Sequence, residues 1–309
     1  MPSARLAYVA LAVREPDAVA AVFEDALGLA RTALRAPDGG DVPMFAAGGA
    51  GLALVDVDAP FLGPAPAPGL HHIALACDDP AGFMRAAGLS PDADDRRTGL
   101  GSASQLWIDP AAACGVRACV TEPVALPSGG DGRIERIDHL GVASLDNRRA
   151  VEFFSGTLGF PVESEQTDME VRTIVESFTS DKYGVVYRNR PPVPVGGLRV
   201  SFITIGDCEL EFLQDFDPSD EAAIDHGQPG TTKQDQGAIA RFVARRGAGL
   251  HHVALKTPDI DGLLASLGAA GLRMIDRTGR PGSRRARIGF VHPASLGGVL
   301  MHFVERAEL

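Results

Sequence analysis

The chain has 309 residues, 45% of them apolar, with 29 basic against 40 acidic side chains and a formal net charge of −11. That length leaves room for two domains, and that apolar fraction for a sizeable core. The negative balance excludes the electrostatic footprint of a nucleic-acid binder or of a protein drawn to anionic lipid, and no apolar run approaches the roughly 20 residues of a membrane helix.

In chain order, MPSARLAYVALAVREPD begins with a short apolar run quickly followed by charge, which predicts a strand and not a signal peptide. That strand opens the first of four similar modules, a repeat that decides the fold. The module openings are YVALAV at Tyr8, HIALAC at His72, HLGVAS at His139 and HVALKT at His252, each the apolar pattern of a buried strand. Helical stretches follow: EPDAVAAVFEDALGL, DDPAGFMRAAGL, LDNRRAVEFFSGTLGF and PDIDGLLASLGAAGL. Each begins at Asp or Pro, ends at Gly, and repeats apolar residues at three- and four-residue steps, so that one face packs on a sheet. Each module closes on further strands, the last of them GLALVDVD, GVRACVTE, CELEFLQD and GVLMHFVE.

The linkers agree with this division. FLGPAPAPG (61–69) separates the first two modules, and EPVALPSGGDG (122–132) divides the chain near its middle. The third module is the longest, with extra residues around 183–197, a polar loop at 217–237 and a short helix AIARFVARRG ending at Gly247. The expected domains are 1–127 and 134–309. The four cysteines, Cys77, Cys114, Cys119 and Cys208, form no CxxC pair, which predicts reduced thiols and a cytoplasmic location.

Aligning the modules brings out two positions. The first opens the leading strand: Tyr8, His72, His139, His252. The second lies in the closing strand: an apolar residue, Cys119, Glu211, His302. A lone histidine in an apolar strand is ordinarily a hydrogen-bonded core residue. Here four polar residues recur at matching places, and burying them unpaired would cost several kcal/mol each, so a shared partner is expected. If the last two modules pair about a pseudo-twofold axis, His139, Glu211, His252 and His302 meet at one divalent metal ion, with Zn, Fe, Ni, Mn or Co suited to that donor set.

The first half keeps the scaffold without those ligands. His251 is expected to face the other side of its strand by two-residue alternation. Glu209 shares a face with Glu211 and is a base candidate or alternative ligand. His226 is expected in a solvated loop, and His292 either lines the cavity or hydrogen-bonds at a strand end. Arg172, Arg188, Arg190 and Arg199 crowd the third module and are expected to be solvated.

The repeat and the His-Glu-His-His set resemble the vicinal-oxygen-chelate superfamily, which includes glyoxalases, methylmalonyl-CoA epimerases and extradiol and hydroxyphenylpyruvate dioxygenases. The likeness covers nearly the whole chain at module level. It is most specific in IDHLGVAS, AIARFVARRGAGLHHVALKTPDI and ARIGFVHPASLGGVLMHFVE, which are similar to methylmalonyl-CoA epimerases. It implies an α+β fold of four βαβββ modules in two domains with cup-shaped mixed sheets, the first domain without metal. It places His139, Glu211 and His252 on family ligand positions, and sets His302 where relatives carry a glutamate that also moves protons. The function it implies is a metal-dependent isomerase, epimerase or lyase acting on a small oxygenated carbonyl substrate through an enolate. Glu211, Glu209 and His302 are the candidates for proton transfer. A non-haem Fe(II) dioxygenase and a ligand-sequestering protein are the alternatives. Pairing into a homodimer is left open; nucleic-acid and membrane partners are not expected.

Overall fold

The computed structural model of the chain describes residues 3–64, 66–90, 96–172, 175–182, 184–191, 193–217 and 237–307. Its first half runs β1 (Arg5–Val13), α1 (Pro16–Ala21), β2 (Arg31–Arg35), β3 (Asp41–Ala47), β4 (Ala50–Asp56), β5 (Gly69–Ala76), α2 (Pro80–Ala86), β6 (Arg96–Thr98), β7 (Ser104–Ile108) and β8 (Ala118–Thr121). The second half repeats it: β9 (Arg136–Ser144), α3 (Asn147–Val151), β10 (Val162–Arg172), β11 (Val175–Ser180), β12 (Gly184–Asn189), β13 (Val193–Ile205), β14 (Cys208–Phe216), α4 (Gly237–Arg246), β15 (Gly249–Lys256), α5 (Ile260–Ala269), β16 (Arg280–Pro281), β17 (Arg287–Val291) and β18 (Met301–Glu305). The extra residues of the third module are the separate hairpin β11–β12, and the helix before Gly247 is α4.

Two eight-stranded mixed sheets result, in the orders β2-β3-β4-β1-β5-β8-β7-β6 and β10-β13-β14-β9-β15-β18-β17-β16. They are the two curled half-barrels expected of tandem vicinal-oxygen-chelate domains. In each, the opening strands of the two modules pair antiparallel at the centre, and each runs parallel to its own module's closing strand. Local chemistry starts three of the helices alike. Asp79, Asp146 and Asp259 cap α2, α3 and α5 by accepting from Gly82, Arg149 and Gly262 N–H at 2.8, 3.2 and 2.9 Å.

Strand alternation divides the side chains between two environments. One face joins the helices in a core continuous across both halves, with Phe23 and Phe83 from the first and Phe154, Phe212 and Leu267 from the second. Each such fully buried side chain contributes about 1.5–3 kcal/mol. The other face lines the two cups. In the first half it is filled by Tyr8, Met44, Leu100, Cys119 and their apolar neighbours. In the second half the apolar residues form two separate clusters, one around Phe202 and Leu213 and one around Ile288 and Val304.

Both central strand pairs carry two β-bulges, at Ala7 and His71 in the first sheet and at Asp138 and His251 in the second. A bulge sets two residues against one on the partner strand and re-aims a side chain. This places second polar groups beside the expected ligands.

Candidate metal centre

Register brings the four expected ligands to neighbouring places. Gly141 of β9 lies opposite Glu211 of β14 on one side and His252 of β15 on the other. Ala254 of β15 lies opposite His139 and His302. Ligand nitrogens of His139, His252 and His302 all lie within 4.8 Å of one another, the one such cluster among the described residues. The Glu211 carboxylate stands 3.4 Å from Nε2 of both His139 and His252. All four residues are buried and line a single cavity of about 300 Å³.

The same register identifies their counterparts in the first sheet. Tyr8, Ala53, His72 and Cys119 take the places of His139, Glu211, His252 and His302. Tyr8 accepts a hydrogen bond from Gln105 Nε2 at 2.6 Å, and His72 packs against Tyr8, Phe61 and Trp107. An apolar cup with a capped phenol replaces the donor set.

The electrostatics suit a cation. Burial and then the neighbouring imidazoles and Arg280 push the His302 pKa well below its ordinary value, and burial lowers that of His252 despite Glu211. Both rings are thus neutral donors at pH 7. His252 Nε2 and His302 Nδ1 are buried without a hydrogen-bond partner. Burial alone would also lower His139, but the Glu211 and Asp138 carboxylates outweigh it and raise its pKa. Burial works against ionised Glu211, yet His139 and His252 hold its carboxyl below the usual range. Two nitrogens on one tetrahedral Zn sit about 3.4 Å apart, so closing this cluster on an ion draws the rings together by up to about 1 Å. The donor set fits a divalent metal ion.

The bulges supply a supporting layer that period-two alternation misplaces. Asp138 Oδ1 accepts from His139 Nδ1 at 2.8 Å, fixing Nε2 as the nitrogen free for a metal. Burial opposes its charge, but the bond from His139 and the guanidiniums of Arg306 and Arg136 bring its pKa down to about 2. The expectation that His251 faces away from the site is incorrect. As the bulged residue it lines the cavity, with Nδ1 3.0 Å from His252 Nδ1 and its ring edge-on to Phe242. Asp138→Asn should lower metal affinity about 10–100-fold with the fold retained, as second-layer partners of metal-bound histidines typically do. Competition against a chromophoric chelator measures this, and an unchanged affinity would show that Asp138 does not orient the ligand.

The remaining sequence expectations divide. Glu209 is bound by Arg284 Nη2 at 2.5 Å and lies 3.7 Å from Arg306, and it does not line the cavity. His292 accepts from Ala294 N–H at 3.1 Å as a cap and also stands outside the cavity. Arg188 and Arg190 are exposed, Arg199 stacks on Phe216, and His226 and the side chain of Arg172 lie outside the described residues. The arginines that do reach the cavity are Arg280, Arg284 and Arg306, from the fourth module. No sequence pattern marked them out, because a turn and a strand end carry them there.

Two tandem cup-shaped sheets, one filled with apolar side chains and one lined by three imidazoles and a carboxylate, define a protein with one candidate metal centre among the described residues. Residues 138–290 match the sequence profile of the Glyoxalase/Bleomycin resistance protein/Dioxygenase superfamily, and the second half of the chain is a domain of that superfamily. The uncharacterized protein YqjC of Bacillus subtilis is 23% identical over 172 residues, 56% of this chain and 93% of that protein. Human mitochondrial methylmalonyl-CoA epimerase is 23% identical over 188 residues, 60% of this chain and 83% of its own. A triple mutant of 4-hydroxymandelate synthase from Streptomyces coelicolor has the same fold across both halves, with a TM-score of 0.62, 16% identity and coverage of 99% of this chain and 93% of that one.

Proposed function

We propose that the second half is a divalent-metal-dependent isomerase or epimerase that shifts a proton beside the carbonyl of a small oxygenated substrate. The observation carrying this reading is the convergence of His139, Glu211, His252 and His302 in one buried cavity with apolar walls. A bound ion would supply Lewis-acid polarisation of a substrate oxygen, which lowers the cost of enolate character. Phe202, Leu213, Ile288 and Phe290 exclude water from that point and strengthen every charge interaction there. Glu211, held ionised, and His302, held neutral, are the acid–base groups that face the substrate space. Glu209 serves instead to fix the guanidinium of Arg284. The sequence likeness to an epimerase supports proton transfer over oxygen chemistry.

Elemental analysis of the purified protein tests the reading, with an expected stoichiometry near one ion per chain and near zero for His252→Ala. Incubating the metal-loaded protein with a panel of small hydroxy-ketones in D2O should then place deuterium at the carbon next to the carbonyl. Equal, trace metal in both proteins would remove the proposal. Oxygen uptake on turnover would replace it with an oxygenase reading, and stoichiometric ligand binding without turnover with a sequestering one.

A further inference from the structure

Before β7 and before β17, the two halves contain the same tight turn. In the first half Gly99 N–H donates to Ala103 O at 2.7 Å, and in the second Gly282 N–H donates to Ala286 O at 2.8 Å. Inside it, Gly101 has φ 66 and Ser102 φ 65; the equivalent residues Arg284 and Arg285 have φ 54 and φ 59. At the first of these left-handed positions the filled cup has glycine, whereas the open cup holds an arginine in a conformation that L residues adopt at a cost. Such strain persists where the surrounding structure enforces it, and it gathers at ligand clamps. The residue before it changes too: Leu100 plugs the first cup, and Ser283 lines the second.

The strained backbone delivers a guanidinium to the cavity. The Arg284 Cζ lies 3.7 Å from the Phe202 ring centre, and its Nη1 and Nη2 are held by Glu163 at 2.9 Å and Glu209 at 2.5 Å. Its Nε is buried without a partner. Arg280 has the same arrangement: Nε is held by Asp276 at 3.1 Å, and Nη1 is buried without a partner. Each guanidinium is anchored by one or two carboxylates and keeps one nitrogen buried without a partner, and both residues line the cavity. An unmade bond on a buried charged donor is expensive, and a pre-organised guanidinium fork matches a carboxylate.

We infer that Arg284 and Arg280 form an anion subsite, and that the physiological ligand is a small organic carboxylate whose apolar body lies against Phe202 and Phe290. The inference rests on the cavity being the substrate site, as proposed above, but not on the metal.

Calorimetric titration with benzoate and its neutral isostere benzamide tests it, using the full chain both metal-stripped and loaded with Co(II). In stripped protein, benzoate should bind at least about 10-fold tighter than benzamide. Arg284→Met and Arg280→Met should each abolish that preference with the metal content of the loaded protein little changed, and Arg284→Met should also lower the melting temperature because it strips Glu163 and Glu209 of their guanidinium. Arg284→Lys, which keeps charge without the fork, should fall between. Equal affinity for the two probes in the wild type, or an undiminished preference in a folded arginine variant, would overturn the subsite. If Arg284→Met does not fold, Arg280→Met decides. Failure to bind metal would strike the proposed function alone, because the stripped-protein comparison does not depend on it.

Discussion

A Gly141→Ala variant should lose at least about 100-fold in metal affinity while keeping its two sheets. Gly141 sits between Glu211 and His252 in the strand register, and a Cβ there would lie 2.0 Å from Cε1 of the His252 imidazole. Its φ lies outside the left-handed region, so alanine suits the backbone and the effect comes from space alone. The ring must turn away or the strands must part, and overpacking of that kind costs typically about 1–3 kcal/mol. For a domain of this size that lowers the melting temperature by several degrees, at roughly 2–4 °C per kcal/mol. The first sheet shows the alternative: its equivalent residue is Ala10, and His72 opposite it packs among aromatic rings. The double variant Gly141→Ala/His252→Ala should regain stability but not metal binding, because the methyl then occupies the vacated ring space. A stable Gly141→Ala protein that binds metal like the wild type would show that His252 is not held at the centre by this fit.

Gly141 also shows what the sequence made legible. The fold came from repetition: four copies of one strand–helix–strand order are enough to set two equivalent sheets. The four converging side chains came from alignment of those copies, because equivalent positions in pseudo-symmetric modules meet at the axis relating them. Asp138 and His251 were not legible, since reading strand faces assumes a period of two and a bulge breaks it. HHVALK at 251–256 gives no sign of which histidine is the extra residue; only the pairing of Leu250 with Val142 and His252 with Gly141 does. The arginines failed for another reason. Arg280 and Arg284 lie on short elements whose aim is set by tertiary contacts with Asp276, Glu163 and Glu209, up to 121 residues away in sequence.

Exchanging Glu211 for glutamine keeps the side chain's shape and removes the only carboxylate among the four expected ligands. Three neutral imidazoles would then face a doubly charged ion in a buried site with its charge less compensated. Metal affinity is expected to fall by at least about 100-fold, equivalent to about 2.8 kcal/mol at 1.4 kcal/mol per decade, as read by chelator competition. The same change has a separate signature when no ion is bound. Glu211 is the largest influence raising the His139 pKa, and His139 the largest holding the Glu211 carboxyl down. A raised histidine contributes stability that is complete below its unfolded value and disappears as pH rises through its folded one. A depressed carboxyl contributes stability that is complete above its unfolded value and disappears as pH falls through its folded one. The pair therefore stabilises the metal-free fold most between about pH 4.3 and 6.5, the ordinary values of the two groups. The melting-temperature difference between the wild type and Glu211→Gln should peak in that window and shrink towards pH 8. A variant that keeps full metal affinity would leave a three-histidine centre with Glu211 as a bystander. A pH-independent difference would mean that the carboxylate acts through packing and not through charge.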